Sequence, residues 1–345
     1  MKIPSNCRWQ PTGTTIGQGR QGSVVEVTDK SGELDRKYAL KRIGSGKPKA
    51  AYLRFAREIE AIKPIDHPGI VKVVDHAGPE DEFQFYVMEL VEGARSLKQL
   101  LGTTDNPFHG DALESLRFFI AVLSALSECE RLNIVHRDLS PSNVLIAGNE
   151  IKIIDFGLCQ IADDRTITLV DEGAGTPNYM APECESGASG NILTAADLYS
   201  TGKLLWSAIT NQVAFSREEA AYKGKSMKTM FPTQPMTWHL HHVFAGTIRH
   251  KIGDRFPNAT NAIQIAEHVA WLISTGKPPL QQFGERPVCP LCGWGMLERM
   301  QDDWQVFHNP MPSGYSGRRC TNCGVCFPVH NNTIRENLAK MNDLL

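Results

Sequence analysis

The sequence predicts an α+β protein in which a β-rich part comes first, a larger helical part follows, and a small metal-binding module ends the chain. Three observations support this. Residues 12–91 read as short strands with alternating apolar positions, and the middle of the chain carries apolar residues at helical spacing. Five of the nine cysteines crowd the last fifth of the sequence. At roughly 150 residues per domain, the 345 residues fit two domains, or one large fold with a small appendage.

Composition is that of an ordinary globular protein, with 41% hydrophobic and 21% charged residues. The net charge of -2 provides no general attraction to nucleic acid or to an anionic membrane. The N-terminus has no apolar stretch of signal-peptide length. The most apolar segment, Phe118 to Leu126, is far shorter than the roughly 20 residues that cross a bilayer. We therefore expect a soluble cytoplasmic protein without membrane contact.

The N-terminal strands are predicted from alternation. Ser23 to Val27, Lys37 to Lys41 and Phe83 to Met88 have the apolar pattern of strands. A helical pattern runs from about Ala50 to Lys63 and stops at Pro64, which cannot continue a helix. This part of the chain is therefore a small sheet with one helix.

Three long helices are predicted after Gly93, over Leu113 to Leu132, Ala195 to Thr210 and Ala262 to Ile273. The helix-breaking run Thr275 to Pro279 marks a boundary before the cysteine-rich tail.

Gly17, Gly19 and Gly22 form a G-x-G-x-x-G-x-V run that ends at Val24. Because glycine has no side chain, the backbone amides of such a run can approach phosphate oxygens closely. An ordinary hairpin turn, however, also contains glycines. The run lies between strands and does not open a helix, which favours a flap over a nucleotide and disfavours a dinucleotide-binding turn.

Two charged residues follow at positions where they could serve such a site. Lys41 ends a strand and could reach phosphates under the flap, and Glu58, in the middle of the predicted helix, could hold its ammonium in place. The plain alternative for Glu58 is a solvated charge on a helix surface.

The most specific pattern lies in the middle of the chain. His136-Arg137-Asp138 is followed by Asn143, and a short hairpin then leads to Asp155-Phe156-Gly157. These residues resemble the H-R-D-x-x-x-x-N catalytic loop and the D-F-G motif of the protein kinase family. The glycine run, Lys41 and Glu58 precede them, and Gly175 to Glu183 follows, all in the family's order. The resemblance covers residues 12 to 274 and implies a two-lobed fold, with a β-rich N-lobe and a helical C-lobe.

The resemblance also implies roles for individual residues. Asp155 and Asn143 would hold Mg²⁺ ions that bridge the phosphates of ATP, and Lys41, paired with Glu58, would orient the phosphate chain. Asp138 would align the substrate hydroxyl and accept its proton. The glycines at positions 17, 19 and 22 would cover the phosphates. The adenine pocket would be formed by Val24, Ala39, Met88, Leu145 and the hinge backbone from Glu89 to Val91.

Other matches are architectural. By resemblance, Glu183 pairs with Arg255, and Asp197 binds the backbone of the catalytic loop. One departure is Ser140, where the family's serine/threonine enzymes usually carry a lysine that neutralises charge on the transferring phosphoryl group. We still expect Ser/Thr substrates. Thr166 and Thr168 are either activation-loop phosphorylation sites or plain solvated loop residues.

The tail contains two C-x-x-C-G motifs, Cys289 with Cys292 and Cys320 with Cys323. This spacing is typical of a zinc ion held by four thiolates and resembles a zinc ribbon. Cys326, His308 and His330 are weaker ligand candidates. Between the motifs, Met296 to Arg299 and Trp304 to His308 are predicted to form a hairpin that needs its metal to fold.

Nearby arginines would offset the negative charge of the thiolates. They are Arg286, Arg299, Arg318 and Arg319. A nucleic-acid surface is less expected, because the basic residues are few, and a protein partner or docking on the C-lobe is at least as well supported.

The predicted domains are an N-lobe over 1–91, a C-lobe over 92–279, a zinc ribbon over 280–332 and a tail over 333–345. The leading hypothesis is a protein kinase that uses ATP, Mg²⁺ and a structural Zn²⁺ and acts on a protein substrate. The alternative is a catalytically weak scaffold, which only Ser140 favours. A small-molecule phosphotransferase is disfavoured by the complete glycine flap and the Thr176 to Glu183 segment.

Overall fold

The computed structural model describes most of the chain up to residue 276 and three short strands beyond it. The described residues are 3–4, 7–18, 22–43, 49–78, 81, 83–156, 160–161, 178–185, 194–216, 224–274, 276, 297–299, 315–320 and 326–330.

An antiparallel five-stranded sheet forms the N-terminal part, and it contains the three strands that the alternating pattern predicts. Its strands are β1 (Trp9–Gln18), β2 (Gly22–Asp29), β3 (Tyr38–Ile43), β4 (Val73–His76) and β5 (Phe85–Glu89), in the order β1-β2-β3-β5-β4. Lys41 of β3 lies opposite Val24 of β2 and Tyr86 of β5. This register places the predicted lysine in the middle of the sheet.

Helix α1 (Lys49–Ile62) packs an apolar face on this sheet and ends two residues before Pro64. Phe55, Ile59 and Ile62 are buried on that face, and Phe55 stacks on Tyr86 with ring centroids 5.6 Å apart. Glu58 therefore lies on this helix between Phe55 and Ile59, whose side chains are both in the core.

Short elements lead from the sheet into the helical part. They are β6 (Arg95–Ser96), α2 (Leu97–Leu100), β7 (Ile134–Val135), β8 (Val144–Ala147), β9 (Glu150–Ile153) and β10 (Gln160–Ile161). The predicted hairpin after the catalytic loop is β8 and β9, and β6 joins it to make a three-stranded sheet.

The three predicted long helices are α3 (Ala112–Arg131), α5 (Ala195–Thr210) and α8 (Ala259–Ser274). The Asp111 carboxylate caps α3 by accepting the N–H groups of Leu113 and Glu114. All 16 residues of α5 are buried, so this helix forms the centre of the C-lobe. Its buried polar residues make hydrogen bonds: Asp197 accepts the His136 N–H, Ser200 donates to the Tyr179 carbonyl and Lys203 donates to the Phe215 carbonyl.

Shorter helices complete the C-lobe. They are α4 (Pro182–Glu185), α6 (Met227–Met230) and α7 (His241–Thr247), with 3-10 turns at Pro235–Leu240 and Ile252–Asp254. Helices α5 and α7 approach closely at Gly202, where an added Cβ would lie 2.3 Å from Oγ1 of Thr247. Most buried apolar side chains form one cluster that runs from the N-terminal sheet and α1 through α3, α5 and α8.

The tail contains an antiparallel sheet of β11 (Leu297–Arg299), β12 (Tyr315–Cys320) and β13 (Cys326–His330). Strand β11 agrees with the predicted strand at 296–299, and it pairs with β12. The other half of the predicted hairpin, Trp304 to His308, lies outside the described residues.

Within the described residues, no helix combines the length and the apolar character that crossing a bilayer requires.

Candidate active site

Lys41, Glu58 and Asp155 converge from three distant parts of the chain. The Lys41 Nζ lies 2.5 Å from Oε1 of Glu58 and 2.9 Å from Oδ1 of Asp155. Lys41 and Glu58 are buried, whereas a third of the Asp155 side chain is exposed. The predicted pairing of Lys41 with Glu58 is therefore present, and Asp155 extends it toward solvent.

Tyr86 completes this cluster and was not predicted from the sequence. Its hydroxyl donates to Oε1 of Glu58 at 2.7 Å, and its strand position is directly opposite Lys41. The other carboxylate oxygen of Glu58, Oε2, is buried and has no hydrogen-bond partner within the described part of the chain. Glu58 thus depends on Lys41 and Tyr86 for its stabilisation.

The two carboxylates keep Lys41 charged. Burial disfavours the ammonium form, but Glu58 and Asp155 outweigh that effect and raise the pKa of Lys41 above its ordinary value. A fixed positive charge beside a partly exposed carboxylate is suited to binding a phosphate chain and its metal ion.

The predicted catalytic loop brings Asp138 and Asn143 together. The Asn143 amide Nδ2 donates to the backbone O of Asp138 at 2.8 Å and to its Oδ2 at 3.3 Å. The N–H of Ile154 donates to the backbone O of Asn143 at 3.0 Å. Asp138, Asn143 and Asp155 are therefore held to one another through the loop and the end of the β8–β9 hairpin.

His136 supports this loop from inside the core. Its Nδ1 accepts the N–H of Asp138 at 3.3 Å, so its Nε2 carries the proton and donates to the Ile154 carbonyl at 3.2 Å. Burial lowers the pKa of His136 to about 4, which keeps the ring neutral. The ring also packs on Phe156, with centroids 4.5 Å apart.

Asp197 fixes the backbone of the same loop, as the sequence predicts. Its two carboxylate oxygens accept the N–H groups of His136 and Arg137 at 2.7 and 2.9 Å. Burial raises the pKa of Asp197 to about 6, against the opposing effect of these two donors.

Arg137 and Asp155 have positive φ angles of 66° and 65°, in a backbone region that residues other than glycine seldom adopt. Such backbone strain persists where the surrounding structure holds it in place, and it clusters at functional sites. Here it occurs next to Asp138 and at the end of the β8–β9 hairpin.

The chemistry of the donors fits magnesium. Mg²⁺ prefers hard oxygen ligands and is usually held by one or two carboxylates together with substrate phosphates. Asp155 offers a partly exposed carboxylate beside Lys41, and Asn143 directs its NH₂ group at Asp138, which leaves its amide oxygen as the atom for a metal.

The predicted adenine residues lie on strands of the N-terminal sheet and on the β8–β9 hairpin. Ala39 and Met88 are register partners on β3 and β5 and are both buried. Val24 and Leu145 are partly buried, on β2 and β8 respectively. Glu89 ends β5, and Val91 follows it with a partly buried side chain.

The glycines behave differently from one another. Gly17 has open space where a Cβ would be, so no contact among the described residues requires a glycine there. At Gly22 an added Cβ would lie 1.8 Å from the backbone O of Arg42, so close approach of β3 requires this glycine irrespective of any ligand. Gly19 lies outside the described residues.

The predicted architectural ion pair is present. Arg255 donates to both carboxylate oxygens of Glu183, at 2.6 and 2.8 Å. Ser140, the departure from the family pattern, is buried. Thr166, Thr168 and the first three residues of the Gly175 to Glu183 segment, 175–177, are not among the described residues.

The zinc ligands are not tested by the structure. Cys289, Cys292 and Cys323 lie outside the described residues, and Cys320 is described only as the last residue of β12. Among the side chains that are described, no group of three or more His, Cys, Asp or Glu could hold a metal ion.

Comparison with known proteins agrees with this geometry. PrkC, a serine/threonine-protein kinase of Bacillus subtilis, is 35% identical over 209 residues, which cover 59% of this chain and 31% of PrkC. PknB, a serine/threonine-protein kinase of Mycobacterium leprae, is 31% identical over 211 residues, covering 59% of this chain and 32% of PknB. The chain thus spans about a third of the length of these relatives.

A solved structure shares the fold. The Mycobacterium tuberculosis PknI kinase domain superposes with a TM-score of 0.58 at 21% sequence identity, covering 76% of this chain and 96% of that domain. The family model of the protein kinase domain matches residues 11–263, which is most of the chain and includes every residue of the site above. The chain therefore belongs to the protein kinase domain family.

Proposed function

We propose that the protein is an ATP-dependent kinase that transfers the γ-phosphate to serine or threonine hydroxyls of protein substrates. The observation that carries this proposal is the contact of one buried lysine with carboxylates from two other parts of the chain, Glu58 and Asp155. A scaffold has no physical need for a buried charge cluster beside a partly exposed carboxylate. The names of PrkC and PknB support serine and threonine as the acceptors.

In the proposed reaction, the acceptor hydroxyl oxygen forms a bond to the γ-phosphorus, and the bond from that phosphorus to the β–γ bridging oxygen breaks, releasing ADP. Asp138 orients the hydroxyl and takes its proton. Lys41, held by Glu58, orients the phosphate chain. Asp155 and Asn143 would hold magnesium, which would supply positive charge to neutralise the charge developing on the phosphates.

The adenine would lie between Ala39 and Val24 on one side and Leu145 on the other, with Met88 behind it. The backbone from Glu89 to Val91 would meet the edge of the base. The glycine run at positions 17, 19 and 22 would cover the phosphates. The resemblance to the kinase family implies these assignments, and the register of β2, β3 and β5 and the partial burial of Val24 and Leu145 support them.

Phosphoamino acid analysis tests the substrate class. The full chain is incubated with radiolabelled ATP, Mg²⁺ and a generic protein substrate, and the labelled product is hydrolysed and separated. We expect label on phosphoserine or phosphothreonine, and none after Asp138→Asn. Label only on phosphotyrosine would refute the serine/threonine assignment.

A weakly catalytic scaffold is the second candidate, because Ser140 takes the place of a charge-neutralising lysine. This candidate is distinguished by nucleotide binding combined with phosphate transfer that is no faster in the wild type than in Asp138→Asn.

The proposed lobe boundaries are an N-lobe over 1–91 and a C-lobe over 92–279.

For the tail we propose a zinc ribbon over 280–332, followed by a terminal segment over 333–345. The pairing of β11, β12 and β13 into a small antiparallel sheet, with Cys320 ending one strand, supports it. The ribbon would bind a protein partner or dock on the C-lobe.

Zinc content tests the ribbon directly. We expect about one zinc ion per chain by elemental analysis, since four thiolates bind one ion tetrahedrally. Replacing Cys289 and Cys320 by serine should remove it, whereas Cys129→Ser, at a buried cysteine of the C-lobe, should not. Unchanged metal in the double variant would refute the ribbon.

A further inference from the structure

An ion pair joins the end of β5 to the β8–β9 hairpin. The Lys152 Nζ on β9 lies 2.6 Å from Oε1 of Glu89, and 3.3 Å from Oε1 of Glu150. Lys152 is buried, and only a fifth of the Glu89 side chain is exposed. A short contact between charged groups with this little solvent is stronger than a surface ion pair.

The Glu89 carboxylate also ties down a neighbouring segment. Its Oε1 accepts the N–H of Lys72 at 3.0 Å, and the Glu89 N–H donates to the Lys72 carbonyl at 2.9 Å. One glutamate thus contacts Lys72 through both its backbone and its side chain, while the same oxygen receives the Lys152 ammonium.

That segment, residues 67–72, is anchored on the C-lobe. The Val71 N–H donates to the Ile153 carbonyl at 3.2 Å, and the Ile153 N–H donates to the Gly69 carbonyl at 2.8 Å. The His67 ring lies 3.1 Å from the Ser124 hydroxyl of α3. The segment is therefore bonded to β9 and α3, although in sequence it precedes β4 of the N-terminal sheet.

These contacts form a continuous path to the reacting end of the site. Lys152 is one residue from Ile153 and three from Asp155, and it is the register partner of Leu145 on β8. At the other end of the path, Glu89 begins the backbone that the proposed function assigns to the adenine edge.

We propose that Lys152 is a positioning residue for nucleotide binding: its ammonium holds the Glu89 carboxylate and so fixes the hinge backbone, Glu89 to Val91, against the hairpin that leads to Asp155. This inference deepens the proposed function and rests on it for the identity of the nucleotide. A hinge that is already ordered loses less freedom when the base binds, so the ion pair lowers the cost of binding.

The test compares Lys152→Met with the wild type, with Lys152→Arg as the conservative variant and Lys72→Met as the matched control. The Lys72 ammonium is exposed and pairs with Asp66, so this control makes the same substitution beside the network without changing the Lys72 N–H. Hydrogen exchange of the nucleotide-free chain and calorimetric binding of ADP with Mg²⁺ provide two readouts that need no activity.

For Lys152→Met we expect about tenfold faster exchange of the Lys72 and Glu89–Val91 amides and about tenfold weaker ADP binding, the loss that corresponds to one charge-assisted hydrogen bond. The KM for ATP should rise by the same factor with kcat changed less than about twofold, since uniform binding is lost. Lys152→Arg should recover most of both effects, and Lys72→Met should match the wild type.

Unchanged exchange and ADP binding in Lys152→Met would overturn the inference, as would a fall in kcat with KM unchanged, which indicates a merely structural role. If Lys152→Met does not fold, Glu89→Gln decides, because it keeps an oxygen for the Lys72 N–H and removes only the charge; unchanged ADP binding there refutes the inference. A wild type that binds ADP but transfers no phosphate would contradict the proposed function alone, and the exchange and ADP results would still decide on Lys152.

Discussion

Lys41 is the side chain on which the site depends most directly. It is buried between Glu58 and Asp155, and its ammonium lies 5.7 Å from the centroid of the Tyr86 ring. The sequence was sufficient to predict its pairing with Glu58, because the kinase motifs appear in a fixed order. It was not sufficient to predict the Tyr86 hydroxyl, since that contact depends on the register of β3 with β5, which no local pattern specifies.

Stability and activity should separate in variants of this pair. Lys41→Met leaves the Glu58 carboxylate buried without its partner, so the free energy of unfolding should fall by about 3 kcal/mol. Adding Glu58→Gln removes the isolated charge and should restore at least half of that loss. Phosphate transfer should stay at least about 100-fold below wild type in both variants, because the phosphate-orienting ammonium is absent. Chemical denaturation and a transfer assay measure the two effects.

A double variant that is no more stable than Lys41→Met would show that the buried Glu58 charge is not the cause of the instability.

Asp197 makes stability depend on pH in a defined direction. Burial raises its folded-state pKa to about 6 from an ordinary value of 3.8, so the folded protein holds this proton more tightly than the unfolded chain. The protonated Asp197 carboxyl therefore adds to the free energy of unfolding at low pH, and this contribution is lost as the pH rises through 6. Relative to Asp197→Asn, the wild type should gain about 1.4 kcal/mol between pH 7 and pH 5. Denaturation at the two pH values measures this difference.

The same pH dependence in wild type and Asp197→Asn would mean that this carboxyl has an ordinary pKa in the folded protein.

Helix α5 organises the C-lobe because every one of its residues is buried. Its predicted bounds, Ala195 to Thr210, are those observed, and Asn211 adopts the left-handed conformation directly after the last helical residue, a common way for a helix to end. The 3-10 turn at Pro235–Leu240 was not predicted. Its polar and apolar residues do not alternate at the spacing of a helix or a strand. Its backbone conformation depends on packing against neighbouring segments.

The close approach of α5 and α7 should not tolerate a methyl group. Gly202→Ala would place a Cβ 2.3 Å from Oγ1 and 2.7 Å from Cβ of Thr247, so the helices must separate. We expect a loss of about 1–3 kcal/mol in the free energy of unfolding. Gly224→Ala has open space around its Cβ and should change stability by less than about 0.5 kcal/mol. Equal stability of the two variants would contradict the packing described here.

At the scale of the whole molecule, side chains from both lobes meet in the cluster of Lys41, Glu58 and Asp155. The N-terminal sheet and α1 supply Lys41 and Glu58, and the C-lobe supplies Asp138, Asn143 and Asp155. The sequence predicted this arrangement through motif order and spacing. It did not predict the Lys152–Glu89 contact, because lysine and glutamate are common in sequences and only the folded chain brings these two together. Nor could it predict that β11 pairs with β12, since strand register in a small sheet depends on long-range contacts.

The most direct test of the whole interpretation is phosphate transfer from ATP with Mg²⁺ to a protein substrate, comparing the wild type with Asp155→Ala. The control is Asp66→Ala, which removes an exposed carboxylate directly before the 67–72 segment. We predict that Asp155→Ala reduces transfer at least about 100-fold, while Asp66→Ala retains the wild-type rate. Equal transfer by the wild type and Asp155→Ala would contradict the assignment of this cluster as the site of phosphate transfer.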